Sequence, residues 1–299
     1  MVKIAVELNT ALTRRARQGM NGVPTARLLA RGDGWSVQDV VCTSGPADRS
    51  FEEQHARVSI AIVAAGTFQY RTTTGTALMT PGSLLLGNAG ECFECGHEHG
   101  TGDRCIAFAF APEYFEQIAG DIGASGVTRA FRSPRVPPLR ESTSLIAQAC
   151  AGLAQSADVA WEEIGVRIAA RAARLAGRAA YAPARAPASA LARVTRIVRE
   201  IERQPSAPLT LRQLAADAGL SPYHFLRTFQ QLTGLTPHQY VRRARLRDAA
   251  LRLAVDRGRI IEVAFESGFG DVSNFNKAFR AEFGVSPGGY RSAISSRRA

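Results

Sequence analysis

Residues Ala215 to Tyr240 read AADAGLSPYHFLRTFQQLTGLTPHQY, and residues Ala264 to Tyr290 read AFESGFGDVSNFNKAFRAEFGVSPGGY. The intervals between corresponding alanine, glycine, phenylalanine, proline and tyrosine residues are the same in both stretches, except for one residue inserted after Gly268. Self-similarity at a fixed period is typical of a structural unit that a chain uses more than once. The sequence therefore predicts a duplicated module in its last quarter.

The first copy has the spacing of two helices joined by a tight turn. Gly219 and Gly234 suit the ends of the two helices, because glycine adopts a positive φ easily. Ser221 and Pro222 suit the N-cap and the first position of the second helix. Both copies repeat apolar residues at helical spacing: Leu211, Leu214, Ala215, Ala218, Phe225, Phe229 and Leu232, then Ile260, Ile261, Val263, Ala264, Phe275, Phe279 and Phe283. Each copy is predicted to be a helix-turn-helix, whose second helix can enter the DNA major groove.

If the phenylalanines face inward, the opposite side of each second helix is left to water. Arginine can bind guanine and asparagine can bind adenine with two hydrogen bonds each, and the remaining cations suit phosphates. One such face would most simply be an ordinary solvated surface, but two faces of matching design favour DNA contact. The predicted DNA-binding residues are Tyr223, His224, Leu226, Arg227, Gln230, Ser273, Asn274, Asn276, Lys277 and Arg280.

The stretch GFGDVSNFNKAFRAEFGVSPGGYR resembles the C-terminal domain of AraC/XylS-type transcription regulators. The resemblance covers residues 190–299 and implies two helix-turn-helix units bridged by a long helix, here Pro237 to Ala254. It also implies base contacts from around Tyr223, Leu226, Arg227, Ser273, Asn276 and Lys277. Leu226 departs from the pattern, since an apolar side chain could touch only a thymine methyl group.

Net positive charge is concentrated in this C-terminal part of the chain. The whole sequence has a formal net charge of +11, of which residues 190–299 contribute 18 Lys+Arg minus 9 Asp+Glu, or +9. Residues 1–189 contribute 19 minus 17, or +2. A positive field confined to one domain favours a polyanionic partner, whose binding weakens as salt is added. No run of eighteen apolar residues and no signal-peptide core occurs, so we expect a cytoplasmic protein without a membrane partner.

The N-terminal half reads as a separate β-rich domain. Four stretches have the alternation and turn residues of strands: VQDVVCT, VSIAIVAAGTFQYRT, TALMTPGSLLLGNAG and RCIAFAFAP. Such spacing suggests an antiparallel barrel or a jelly roll. The resemblance implies a cupin-like barrel that senses an effector, so the expected fold class is α+β, with an N-terminal cupin-like β-barrel with helices and a C-terminal all-α domain. Before residue 35, Arg14, Arg15 and Arg17 read as a solvated basic cluster without an assigned role.

Two alanine-rich helices are expected after the barrel, at Leu139 to Leu153 and Val159 to Tyr181. They could pair between two subunits or cover an open end of the barrel. Two prolines then interrupt helical periodicity, at Pro183 and Pro187. The expected division is a sensing and dimerisation domain at 1–181, a linker at 182–189 and a DNA-binding domain at 190–299.

The stretch ECFECGHEHGTGDRC concentrates potential metal ligands within fourteen residues: Cys92, Cys95, His97, His99 and Cys105. In an extended chain Cys95, His97 and His99 would lie on one face and could bind one ion, with Cys92 or Cys105 as a fourth ligand. Zinc and copper both tolerate such a mixture, and otherwise no cofactor is expected. Cys92 and Cys95 form a Cys-x-x-Cys pair, so a thiol sensor is the second interpretation. The same residues could also be packing and loop residues or contact an organic ligand.

Three functions are consistent with the sequence. The leading hypothesis is a sequence-specific transcription regulator, taken as an activator and not an enzyme, whose N-terminal domain senses a small molecule, metal or oxidant. Its expected partners are double-stranded promoter DNA, RNA polymerase, an unidentified effector and, if the two helices pair between subunits, a second copy. The alternatives are a metal-dependent cupin enzyme fused to a DNA-binding domain, and an architectural protein that binds nucleic acid without sequence preference.

Overall fold

The first element is a helix that the sequence left unassigned. The computed structural model describes residues 3–50, 52–124, 130–154, 159–176, 186–255 and 258–296, and helix α1 spans Lys3–Gln18. Leu8, on one face of this helix, is buried. Arg15, expected to be solvated, instead pairs with Asp48 at 2.7 Å and donates to the Thr43 carbonyl. The helix is therefore attached to the β domain by one face.

Ten strands follow within the described residues. They are β1 Pro24–Gly32, β2 Trp35–Cys42, β3 Glu52–Gln54, β4 Val58–Gly66, β5 Phe68–Thr72, β6 Gly75–Met79, β7 Leu84–Gly87, β8 Cys92–Gly96, β9 Asp103–Phe110 and β10 Arg135–Val136. All described pairings are antiparallel. One sheet has the order β1-β2-β9-β4-β7-β10 and the other β3-β8-β5-β6.

The two sheets pack against each other through a small apolar cluster. Val63 and Leu85 come from the larger sheet, and Phe68, Tyr70 and Met79 come from the smaller one. The β domain is thus two facing sheets, and hydrogen bonding among the described strands does not close them into the single barrel that the sequence suggested. Because side chains alternate along a strand, the same strands present a second set of residues outward.

Helices cover that outer face of the larger sheet. Helix α2 spans Pro112–Asp121, α3 spans Arg140–Ala154 and α4 spans Trp161–Ala176. Trp161, Ile164 and Ile168 are buried, as their helical spacing predicted, and they pack with Phe108 and Phe110 of β9. The buried faces of α3 and α4 are therefore occupied within one chain. The predicted continuation of α4 to Tyr181 lies outside the described residues.

All the regular secondary structure described in the C-terminal domain is helical. Its helices are α5 Ala188–Arg203, α6 Leu211–Asp217, α7 Pro222–Thr233, α8 Pro237–Val255, α9 Ile260–Glu266, α10 Val272–Phe283 and α11 Pro287–Ser296. The predicted bridging helix is α8, within one residue of its expected end. Helix α5 begins two residues inside the predicted linker. Within the described ranges, no helix has the length and apolar character needed to cross a membrane.

Candidate nucleic-acid interface

Helix α7 begins and ends as its sequence predicts. Ser221 is the N-cap, and its hydroxyl accepts a hydrogen bond from the His224 backbone N–H. Gly234 ends the helix with a φ of +80°, in the left-handed region that favours glycine. Phe225 and Phe229 are fully buried, with ring centroids 5.4 Å apart, and Phe229 packs edge-on against Tyr240. The opposite face of α7 is therefore free to meet a ligand.

Helix α10 repeats this construction fifty residues later. Asp271 replaces serine as the N-cap and accepts from the Asn274 N–H at 2.6 Å, and Gly284 ends the helix at a φ of +80°. Phe275 and Phe279 are fully buried, and Phe279 packs edge-on against Tyr290. The repeat in the sequence is thus a repeat of the packing. In the first helices of the two units, Leu211 and Ile261 are exposed, unlike Leu214, Ala215, Val263 and Ala264.

The ten residues predicted to bind DNA all lie on the solvent side of α7 and α10. Nine are exposed and Leu226 is partly buried; the nine are Tyr223, His224, Arg227, Gln230, Ser273, Asn274, Asn276, Lys277 and Arg280. The guanidinium carbon of Arg227 lies 5.9 Å from the centre of the Tyr223 ring, a geometry that holds the cation toward the N-terminal half of α7. Contact of these ten residues with bases or phosphates stays a prediction.

The C-terminal end of α7 is attached to the β domain by a partly buried arginine. One terminal nitrogen of Arg135, in β10, donates to the Leu78 carbonyl of β6 at 2.6 Å and to the Leu232 carbonyl of α7 at 2.7 Å. Leu78 also belongs to the apolar cluster that contains Phe225 and Phe229. Burial lowers the pKa of Arg135 to about 10, so it remains a cation at neutral pH. This cation binds a carbonyl in the last turn of α7, where the helix dipole favours positive charge.

Helix α10 is attached to the β domain through a carboxylate. Glu282 accepts from the Thr143 hydroxyl of α3 at 2.7 Å, and it pairs with Arg243 of α8 at 3.2 Å. Ala147 of α3 packs in the same apolar cluster as Phe275 and Phe279. Each predicted recognition helix therefore contacts the N-terminal domain directly, and neither contact was visible in the sequence because the partners lie far apart in the chain.

The five cysteine and histidine residues proposed as metal ligands are not brought together. Strand β8 ends at Gly96, and the Gly100 N–H then bonds back to the His97 carbonyl at 3.2 Å, so the extended conformation needed to align His99 is broken. Cys92 is exposed, while Cys95 is partly buried on the other side of β8. The single face that an extended chain would give Cys95, His97 and His99 is not formed, because the strand ends in a turn. Metal binding by these residues stays a prediction.

His97 instead lies beside two residues that the sequence did not assign as ligands. The ligand atoms of Cys42, His97 and Asp103 lie within 4.8 Å of one another, and they form the one such set within the described residues. His97 Nε2 lies 2.7 Å from Asp103 Oδ1. Burial by itself lowers the pKa of His97, but hydrogen bonds to Asp103 and Cys42 raise that pKa to about 9. Cys42 and Asp103 face each other in the pairing of β2 with β9, a register that spacing along the chain could not provide.

Two family models match separate parts of the chain. Residues 39–166 match the AraC-like ligand binding domain, and residues 214–293 match a helix-turn-helix domain. The first range contains most of the two sheets and their covering helices. The second begins within α6 and includes both helix-turn-helix units.

Curated relatives match about a third of this chain. The HTH-type transcriptional activator AarP of Providencia stuartii is 31% identical over 98 residues, covering 33% of this chain and 73% of AarP. The HTH-type transcriptional regulator MtrA of Neisseria gonorrhoeae is 32% identical over 99 residues, which span 33% of each protein. Among solved structures, the DNA-binding domain of AdpA in complex with a target DNA is 30% identical, covers 35% of this chain and 95% of that one, and has a TM-score of 0.35. From its two matched domains and its likeness to AarP, the chain belongs to the AraC/XylS family of transcription regulators.

Proposed function

We propose that this protein is a sequence-specific, DNA-binding transcription regulator whose N-terminal domain senses an effector. The observation that carries the proposal is the pairing of the two exposed faces. Each of the five predicted residues on α7 has its counterpart one repeat later on α10: Tyr223 with Ser273, His224 with Asn274, Leu226 with Asn276, Arg227 with Lys277, and Gln230 with Arg280. The two helices have the same capping and packing geometry, whereas their exposed side chains differ in chemical type.

This difference favours sequence readout over uniform attraction to phosphate. A protein that only binds the DNA backbone needs positive charge, whereas the two faces carry amides, hydroxyls and an aromatic ring beside their cations. Amide and guanidinium groups distinguish base edges in the major groove. We infer that the two units bind two different short sequences on the same duplex.

The route from sensing to DNA binding is proposed to be direct. Arg135 bonds to α7, and Thr143 bonds to Glu282 of α10, so movement of β10 or α3 would alter the support of a recognition helix. An effector that binds one arrangement more tightly would shift the population toward it and change DNA affinity by the same coupling free energy. Activation through RNA polymerase, pairing with a second copy and residence in the cytoplasm complete the proposal.

Selection from random double-stranded DNA tests this function and does not require a known promoter. The full-length chain is used to select bound fragments, and its affinities for the selected site and for a scrambled version are then compared at equal salt. We expect at least about 1,000-fold preference, within the ordinary range of specific over nonspecific DNA binding. Equal affinities would contradict the proposal and favour an architectural nucleic-acid-binding protein.

A further inference from the structure

Three polar residues from both sheets meet at one end of the space between the sheets. Cys42 is the last residue of β2 and lies directly opposite Asp103, the first residue of β9. His97 follows the last residue of β8, in the other sheet. Opposed residues of an antiparallel pair point to the same side of their sheet. The fold therefore places a thiol, an imidazole and a carboxylate together from positions far apart in the sequence.

This cluster is buried, and its geometry is close to that of a metal site. Cys42 is 9% exposed, His97 is 6% and Asp103 is 5%. Their ligand atoms lie within 4.8 Å of one another, whereas tetrahedral ligands at ordinary zinc distances are about 3.5 Å apart. A small inward movement of the three side chains would suffice. Sulfur, nitrogen and oxygen donors from these residue types are the ones that zinc accepts.

A fourth donor is adjacent. Cys105 is buried on the same side of β9 as Asp103, and its sulfur donates to the second carboxylate oxygen, Asp103 Oδ2, at 3.5 Å. The Asp103 carboxylate thus contacts both the imidazole of His97 and the thiol of Cys105. Without an ion, the protonated His97 is the cation that pairs with this buried carboxylate. A bound dication would take the place of that proton, because a ligating histidine must be neutral.

The loop that carries this cluster also contacts the DNA-binding domain. Arg199 of α5 donates to the Thr101 carbonyl at 2.8 Å and to the Thr67 hydroxyl at 3.3 Å. Thr101 lies between His97 and Asp103 in the chain, so an ion that holds both residues would fix the loop at its two ends. Helix α5 packs in the apolar cluster that contains Phe225 and Phe229 of the first helix-turn-helix unit.

From this juxtaposition we infer that Cys42, His97 and Asp103, completed by Cys105, bind a thiophilic divalent metal ion such as Zn²⁺. Occupancy sets the position of the loop at 97–103 and, through Arg199, the support of the first helix-turn-helix unit. The proposed metal site does not depend on the proposed function, because it rests on the geometry of the cluster. The regulatory role rests on the proposed function, because it requires that this unit bind DNA.

Metal binding is tested on the full chain with Zn²⁺ alone. Protein stripped with a chelator is titrated with Zn²⁺ in competition with a chromophoric indicator. We expect one ion per chain, and at least about 100-fold weaker binding for Cys42→Ser and for the near-isosteric Asp103→Asn, since losing groups that only orient ligands already costs 10–100-fold. Cys92→Ser and His99→Gln are matched controls outside the cluster and should retain the wild-type affinity.

A spectroscopic readout separates ligation from loss of folding. Co²⁺ should give a thiolate-to-metal charge-transfer absorption that Cys42→Ser weakens and Cys92→Ser leaves unchanged, while circular dichroism shows that both variants are folded. The metal site is overturned if the wild type binds no stoichiometric Zn²⁺, or if the control variants lose binding as much as Cys42→Ser does. It is also overturned if peroxide, but not Zn²⁺, alters the protein, because that result identifies a thiol sensor.

The regulatory step has its own test. Zn²⁺ should change the affinity of the wild type for its selected DNA by at least about 5-fold, at the lower end of ordinary allosteric coupling. Arg199→Ala should bind Zn²⁺ as the wild type does but lose this response. Stoichiometric Zn²⁺ binding with unchanged DNA affinity would overturn the regulation alone. Specific DNA binding by the metal-free chain would leave the proposed function intact in either case.

Discussion

At the scale of single residues, α7 and α10 share their capping and buried residues but carry different exposed side chains. Arg227 and Lys277 occupy corresponding positions on α7 and α10, and both side chains are exposed. An arginine can bind a guanine edge with two hydrogen bonds, while a lysine acts as a point charge. Leu226 and Asn276 differ even more, because the asparagine can bind an adenine edge and the leucine has no hydrogen-bonding group.

Arg227→Ala and Lys277→Ala should each weaken binding to the selected DNA by about 1–3 kcal/mol if the side chains contact bases. Arg174→Ala is the matched control, because it removes an exposed arginine from α4 of the other domain. Equilibrium titration of labelled duplex measures all three at one salt concentration. Loss of affinity equal in the control and in the two variants would indicate that only net charge matters.

His55 gives the β domain a stability that depends on pH. Its Nε2 atom lies 2.7 Å from the Tyr70 hydroxyl, and its ring stacks on Phe93 at 4.1 Å between centroids. Burial lowers the pKa of His55 to about 4, and the negative charge of Glu91 opposes this only in part. In the unfolded chain the group has its ordinary pKa of about 6.5.

As the pH falls below 6.5, His55 is therefore protonated in the unfolded chain before it is protonated in the folded chain. The free energy of unfolding that depends on neutral His55 is present above pH 6.5 and is lost as the pH falls toward 4. We expect a loss of about 2–3 kcal/mol over that range. His55→Gln should remove this component, so the unfolding free energy of the variant should fall less steeply between pH 6.5 and 4 in urea titrations. Identical slopes for the variant and the wild type would show that His55 is not held neutral.

The residues of the candidate sites were predictable to different degrees. The exposure of the ten residues predicted to bind DNA could be foreseen, because a helix places every third or fourth side chain on one side. The cluster of Cys42, His97 and Asp103 could not, since it depends on the register of β2 with β9 and on a turn at 97–100. Clustering of cysteine and histidine in the sequence pointed to this region and to two of the four residues proposed there, His97 and Cys105.

At the scale of elements, helix ends were the most predictable feature. The caps at Ser221, Gly219 and Gly234 depend on local backbone geometry, which residue type largely determines. The strands β3 and β10 have three and two described residues, too few for an alternating pattern. Strand β1 is exposed along most of its length, so it lacks the apolar alternation that marks a strand in the sequence.

Gly234 and Gly284 offer a matched test of the two units. Both end a recognition helix at a φ of +80°, where alanine costs about 1–2 kcal/mol. A methyl group at Gly234 would also lie 2.7 Å from Pro137 of the N-terminal domain, whereas at Gly284 it would meet no described heavy atom within 4 Å. Gly234→Ala should therefore destabilise the full chain more than Gly284→Ala in urea unfolding. Equal losses would argue against the packing of α7 on Pro137.

At the scale of the whole molecule, the domains are joined by contacts at the recognition helices as well as through the chain. Sequence reasoning predicted two domains, because charge and periodicity change between them. It gave no sign of the contacts of Arg135 with Leu232 or of Thr143 with Glu282, since each joins residues about a hundred positions apart or more. Such pairings depend on tertiary packing.

Removing each contact should loosen one unit and leave the other. Arg135→Met should raise amide hydrogen exchange in α7, and Thr143→Val should raise it in α10, each by about 10-fold if the lost bond contributes about 1.5 kcal/mol. Each variant is the control for the other, and mass spectrometry of peptides from the full chain resolves the two helices. Increased exchange in both units, or in neither, would contradict separate attachment of the two helices to the N-terminal domain.

The duplicated unit is proposed to bind two neighbouring stretches of one duplex. Hydroxyl-radical footprinting of the full chain on its selected DNA measures where each unit binds. We predict two protected segments about 10–10.5 base pairs apart on one face of the duplex, one helical turn as for paired recognition helices. Lys277→Ala should weaken one segment and Arg227→Ala the other. A single protected segment, or uniform protection that neither variant changes, would contradict the claim.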